Sequence, residues 1–384
     1  MTWSRSSFRG HARARDADHD STDLPHAKSA RERSRKFPFV HRQPEKKGFL
    51  MKIDAFAHAL PLGYKEAFQK KLPLDAPKMS GGDWDRNKTL TDMDLRIAIM
   101  DEFGIDMQAL VTPTPAMEWF FDADTCGTLA RIANDGMAEL VARHPKRFIG
   151  VATVCLLDVE RAIRELRRSV RELKLRGVLL YSNVGGLPPD APQFEDFYHA
   201  VEELGVPMWL HPARSEKQAD FSTEESSRYL LWQSFGWSYE ITLAMARLVF
   251  SGVLQRHPGL RIIVHHAGAM VPFFAGRIRS FYSNPSNLIN IGLDPKVERP
   301  YLDQFRDFYV DAWTNGSVAA LMTSYEIFGA DRMVFGSDMP FGAEMGRAFV
   351  REAVQAVERM MIPPIEKEKI WSSNILRLCG LERP

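Results

Sequence analysis

After Met51 the chain alternates short β-branched runs with longer helical stretches, and it does so eight times. The runs are Lys52–Ala57, Gln108–Thr112, Arg147–Val154, Gly177–Ser182, Val206–Leu210, Arg261–His265, Phe308–Ala312 and Arg332–Gly336. Between them lie helix signals such as 158–174, where Ala162, Leu166, Val170 and Leu173 recur at helical spacing. Two helical stretches close alike, in Ala142-Arg143-His144-Pro145 and Gln255-Arg256-His257-Pro258. A cationic last turn suits the helix dipole, and proline cannot continue the helix. Eight such βα units predict an α/β chain folded as a (β/α)₈ TIM barrel. An open doubly wound sheet would carry a Gly-rich phosphate turn after its first strand, and neither that turn nor a Walker A motif is present.

A barrel needs about 250 residues, and the chain offers more from Met51 onward. The excess falls in two intervals longer than the rest, from strand 1 to 2 and from strand 5 to 6. The barrel is therefore expected to be distorted, with enlarged βα loops over its C-terminal mouth.

Net charge is +1, but it sums two unequal parts. Residues 1–50 carry 12 Lys/Arg against 6 Asp/Glu; residues 51–384 carry 38 against 43. The first 50 residues lack apolar periodicity and read as a disordered basic extension, dispensable to a folded unit over 51–384. They lack the apolar core of a secretory signal, and their acidic residues argue against a transit peptide. Mixed charge in the extension and a mildly acidic remainder argue against nucleic acid. Cys126, Cys155 and Cys379 are far apart in sequence and form no CxxC, which excludes a cysteine metal motif and fits a reducing, cytoplasmic setting. No run of 18 apolar residues predicts a membrane span.

In TIM barrels chemistry sits at the C-terminal ends of the strands. Strand 1 ends Phe56-Ala57-His58, strand 5 His211-Pro212-Ala213-Arg214, strand 6 His265-His266-Ala267-Gly268, and strand 8 Gly336-Ser337-Asp338-Met339-Pro340. Imidazoles and a carboxylate delivered to one rim suit zinc or manganese. Each has a plainer reading: a lone histidine is more often structural, as expected of His144, His199 and His257, and Asp338 could cap a turn. His265 is left undecided.

These motifs, with Pro272 downstream, resemble the amidohydrolase superfamily in its amidohydrolase-2 branch, which includes aminocarboxymuconate semialdehyde and γ-resorcylate decarboxylases as well as lactonases and hydratases. The resemblance covers essentially all of 51–384. It implies one divalent metal, often in a homodimer, with His58, His211 and Asp338 matching metal ligands, and with His266, matching the catalytic histidine, and Asp338 as the catalytic residues. It also implies a small carboxylate substrate, aromatic or unsaturated. Decarboxylation and hydrolysis need similar residues, so both stay open.

Strand 1 departs from the usual His-x-His or Glu-x-His. Residues 54, 56 and 58 share a strand face, so Phe56 points where a ligand would stand, and a benzyl group cannot coordinate. Either three ligands suffice, as in many catalytic zinc sites, or the metal is lost and the barrel is a metal-free or non-catalytic binder. Phe56 could stack on a flat substrate or simply fill the barrel top. Arg214 and Arg277 are candidate forks for a substrate carboxylate; surface or interface salt bridges are the plainer reading. Trp232, Trp237 and Tyr239 read as a buried helix face, and Trp119, Phe120 and Phe121 as a possible pocket wall.

Overall fold

The computed structural model describes residues 50–73 and 84–382. Residues 1–49 of the expected extension lie outside the described residues.

All eight strands form: β1 (Ile53–His58), β2 (Met107–Val111), β3 (Phe148–Gly150), β4 (Val178–Tyr181), β5 (Met208–His211), β6 (Ile262–Val264), β7 (Tyr309–Asp311) and β8 (Met333–Val334). Pairing is parallel throughout, in the order β1-β2-β3 and β4-β5-β6-β7-β8. Backbone bonds close both seams. Ala152 N–H donates to Gly177 O and Leu179 N–H to Ala152 O, both at 2.8 Å, joining β3 to β4. Ala55 N–H donates to Phe335 O (2.7 Å) and His58 N–H to Met339 O (2.6 Å), joining β1 to the segment after β8. The result is the expected barrel, distorted at its seams. The expected runs at 147–154 and 332–336 are longer than β3 and β8 because pairing thins out at these seams. There Ala152 makes one isolated bridge, and Phe335 N–H turns to Ile370 O.

Side chains alternate between two cores, as the period of two requires. Ile53, Ala109, Ile149, Leu179, Trp209, Ile263 and Val334 fill the barrel interior. Leu110, Leu180, Met208, Leu210, Ile262 and Val264 face the surrounding helices. Trp209 crosses the interior and donates its indole N–H to Ala55 O at 2.7 Å. Gly177 makes room for it: a Cβ there would lie 2.2 Å from the Trp209 ring and 2.6 Å from Pro207 O.

The outer helices follow their caps and stripes. Asp158 caps the helix Val159–Arg171, accepting from Arg161 N–H, while Ala162, Leu166 and Ser169 face inward. The enlarged loop after β1 holds the helices Tyr64–Lys71 and Met93–Phe103, and the loop after β5 leads into the helix Trp237–Phe250. Tyr64, Phe68 and Trp84 build a separate apolar cluster with Leu129. That cluster also brings together Cys126 and Cys155, distant in sequence; both are free and buried, and the Cys126 thiol donates to Phe121 O at 3.5 Å. No helix among the described residues is long and apolar enough to cross a membrane.

Candidate metal centre and active site

The C-terminal ends of β1, β5, β6 and β8 bring His58, His211, His265, His266 and Asp338 together at one end of the barrel. Asp338 is central. Its Oδ1 lies 3.1 Å from His58 Nε2 and 3.5 Å from His265 Nε2. The His58 and His211 rings meet edge-on at 5.1 Å, and His211 stacks on His265 at 5.5 Å. All but His266 are buried.

Two of the rings are held by a hydrogen bond on the nitrogen turned away from the site. His211 Nδ1 lies 2.7 Å from Pro212 O, so it donates there and leaves Nε2 for the site. His265 Nδ1 is paired with Asp311 Oδ2. Asp311 Oδ1 accepts from the backbone N–H of Ala267 (2.9 Å) and Trp313 (3.1 Å). His58 is positioned through its backbone: the buried Arg96 guanidinium donates to His58 O and Thr89 O, and to Gln108 Oε1 at 2.8 Å. Gln108 in turn donates to Asp54 Oδ2 (2.9 Å), and Asp54 accepts from Ser337 Oγ (2.5 Å) and Ser337 N–H (3.0 Å). This chain ties β1 to the strand-8 loop carrying Asp338. Burial pushes the Asp54 carboxyl up to about 6 against these hydrogen bonds.

His266 (φ 61°), Ala267 (φ 54°) and Asp338 (φ 59°) are left-handed. For non-glycine residues such conformations cost about 1–3 kcal/mol each and persist only where the surroundings hold them. Here the Asp311 bond to Ala267 N–H and the Ser324 hydroxyl on Ala267 O (2.8 Å) do so.

The donor set fits a divalent metal. Nε2 of His58, Nε2 of His265 and Nδ1 of His266 are buried without a hydrogen-bond partner, although His58 Nε2 and Asp338 are close. Orphaned buried nitrogens are costly unless something binds them. Ligand atoms of His58, His211 and His265 lie within 4.8 Å of one another, as do those of His265, His266 and Asp338. The charge at the site centres on Asp338. Burial alone would raise Asp338, but His265 and His58 outweigh it and hold the carboxyl well below its ordinary range. Burial would likewise lower His265, but Asp311 and Asp338 push it up to about 9. Burial, reinforced by neighbouring imidazoles, holds His211 and His266 well below the usual imidazole value.

A cleft of about 640 Å³ opens over His266 and Asp338, with Trp237, Trp313, Phe341 and Asn315 in its walls. The Trp237 ring is nearly parallel to His266 at 6.2 Å. A second cavity, of about 340 Å³, is lined by Glu118, Trp119, Phe120 and Trp232.

The amidohydrolase family model matches residues 53–381. The chain belongs to the amidohydrolase family. This amidohydrolase is 31% identical over 310 residues to γ-resorcylate decarboxylase of Polaromonas sp., covering 78% of this chain and 92% of that one. The crystal structure of 5-carboxyvanillate decarboxylase from Sphingomonas paucimobilis superposes with a TM-score of 0.73 at 26% identity, over 87% of this chain and all of the other. The dihydroxybenzoic acid decarboxylase of Polaromonas sp., solved with manganese and 2-nitroresorcinol, gives 0.69 at 28%, over 87% of this chain and 98% of that one. These relatives are carbon–carbon lyases, one of the two enzyme classes expected from the sequence.

The amidohydrolase site brings together His58, His211, His266, Asp338 and Phe56, all named from the sequence. It does not bring in the two arginines. Arg214 is committed to the Gln218 and Ala219 carbonyls (3.2 Å each), to Asp220 (3.5 Å) and towards Glu240 (4.0 Å), bracing the loop after β5. Arg277 lies over the Phe281 ring in a different groove, because it projects from the other side of the helix Val271–Tyr282. Among the described residues lining the cleft none is Lys or Arg. Phe56 does face the site, stacked on His265 at 4.1 Å. The aromatic expectations divide. Trp232 is buried, Trp237 lines the cleft, and Tyr239 is 49% exposed rather than part of a buried face. Sequence reading missed Arg96, Gln108 and Asp311. The one available signal was a polar side chain inside an otherwise apolar strand run, as at Gln108 and Asp311.

Proposed function

We propose that this chain is a metal-dependent decarboxylase of a small aromatic carboxylate. The observation that carries the reading is the convergence of buried, unpartnered histidine nitrogens on Asp338 beneath an aromatic-walled cleft. The decarboxylase names of its relatives favour lyase over hydrolase chemistry. His58, His211 and Asp338 would hold the cation, with zinc as the resident metal and manganese able to replace it, since mixed imidazole and carboxylate donors suit both. When bound, the cation supplies Lewis-acid chemistry, drawing charge from the oxygens of the aromatic acid.

The chain's own residues supply the rest. Trp237, Trp313 and Phe341 offer flat apolar walls to an aromatic ring and exclude water from it. The bond between ring carbon and carboxyl carbon breaks, its electron pair stays on the ring carbon, and CO₂ departs. That carbon takes up one proton, which the His266 imidazolium gives up, returning to the neutral imidazole and regaining a proton from solvent before the next turnover. Burial disfavours the charged form of His266, so a proton resting there is readily passed on.

The test is to load purified protein with zinc or manganese and offer 2,6-dihydroxybenzoate and other hydroxybenzoates. Release of CO₂ with one equivalent of the matching phenol is expected. Metal-loaded protein that turns over no member of such a panel would overturn the decarboxylase assignment.

We further propose a cytoplasmic homodimer whose working unit is 51–384. A chain starting at Met51 should keep wild-type turnover, and its loss would refute that boundary. The dimer reading rests on an aromatic groove lined by Tyr239, Phe250, Phe274 and Phe281, with Phe273 81% exposed beside it; exposed apolar patches of this kind mark interfaces. Arg277 sits in that groove, so any role towards substrate runs through the second copy. Light scattering should give twice the chain mass. Arg277→Ala should raise KM with kcat nearly unchanged; an unchanged KM would confine this arginine to packing.

A further inference from the structure

His265 has no role in the ligand set above, yet it carries the marks of a ligand. We propose that His265, through Nε2, is a fourth protein ligand of the metal, supplied by the end of β6 in place of the donor that Phe56 cannot offer. The inference rests on the metal reading above and adds to it.

Three observations support it. The first is orientation. A metal-binding imidazole usually gives its other nitrogen to a carboxylate, which fixes ring and tautomer. His265 has that arrangement: Nδ1 on Asp311, itself fully buried and pinned by two backbone N–H groups, and Nε2 buried with no partner. The second is spacing. Donors about 2.0–2.1 Å from a tetrahedral ion lie about 3.3 Å from one another. Asp338 Oδ1 is 3.1 Å from His58 Nε2 and 3.5 Å from His265 Nε2. The ligand atoms of His58, His211 and His265 form a compact group of their own. The third is exclusion. The Phe56 ring lies flat against His265, 13° from parallel at 4.1 Å. It fills the strand-1 side and holds the imidazole plane, so Phe56 and His265 work as a pair. His266 is the other candidate from β6. It is less buried, and its ring faces Trp237 in the cleft, where substrate and proton meet.

The set would then be His58, His211, His265 and Asp338, richer in imidazole than a site relying on carboxylates, and such a set favours zinc over manganese. The test is metal binding, independent of turnover. Full-length protein, stripped with a chelator, is dialysed against ZnCl₂ or MnCl₂ and its metal content measured. Wild type should bind one equivalent. His265→Ala should bind zinc at least about 100-fold more weakly, and Asp311→Asn about 10–100-fold more weakly. Thermal unfolding of the stripped proteins checks that they fold. If His265→Ala is unstable, pulsed electron paramagnetic resonance on manganese-loaded wild type counts directly coordinated imidazole nitrogens. Three support the proposal and two overturn it. His265→Ala binding zinc within about threefold of wild type overturns it too, while the metal reading stands. Wild type that takes up no metal overturns both.

Discussion

His266→Asn is expected to lower kcat about 10²–10⁴-fold, the usual worth of a positioned proton donor, while the metal content stays at the wild-type level. Asparagine is the informative replacement because His266 adopts φ 61°, a left-handed conformation that asparagine tolerates and most residues do not. The variant therefore removes the imidazole without disturbing the turn that also carries Ala267 and Gly268. The ring lines the cleft beside Asp338, and its Nδ1 has no partner among the described residues. Deleting it should leave little hydrogen-bond debt. KM should change little, because the cleft walls that hold an aromatic ring are untouched. A His266→Asn protein with kcat within about threefold of wild type would remove this residue from the proton path; one that also loses its metal would make His266 a ligand.

The strand count was legible because β-branched runs separated by helical periodicity are a strong signal, and β1 to β8 all form on those runs, with β1, β2 and β5 each extending one residue beyond them. Their lengths were not legible at the seams, where ladder bonds to the neighbouring strand, not composition, decide where β3 and β8 stop. The strand-end rule placed His58, His211, His266 and Asp338 correctly at one rim, since parallel strands present all their C-terminal ends to the same side. Strand alternation also placed Phe56 on the site face, and it stacks there. The same alternation could not resolve His265. Adjacent residues of a strand point to opposite faces, but β6 ends at Val264 and the chain turns left-handed at His266. The two rings consequently stack at 3.9 Å on the same side. Arg277, a candidate carboxylate fork, lies in a different groove from the cleft, and distance along the chain says nothing about which face of the following helix a residue takes. The Arg96–Gln108–Asp54–Ser337 chain was invisible for a related reason: its members come from four separate segments and meet only once the barrel closes.

The combined variant His211→Ala/Asp338→Asn is expected to abolish metal binding and, with it, turnover. Loss of a single outer-shell partner costs a metal site about 10–100-fold; here two of the proposed direct ligands go, so binding should fall beyond reach of millimolar zinc or manganese. The choice of substitutions again follows the backbone. Asp338 is left-handed at φ 59° and its N–H bonds to Phe56 O at 3.0 Å, so asparagine keeps the loop while removing the charge. That charge is what the two nearby imidazoles stabilise, and without it the site no longer attracts a cation strongly. His211→Ala opens a space beside His58 and His265 but removes only one hydrogen bond, the one to Pro212 O. The stripped double variant should therefore unfold within a few degrees of stripped wild type, whereas added zinc should raise the midpoint of wild type alone, since a ligand bound only to the native state stabilises it by mass action. A double variant that is still stabilised by zinc would move the metal away from this cluster. A double variant that keeps full turnover without metal would leave the histidine cluster as a metal-free proton-transfer site.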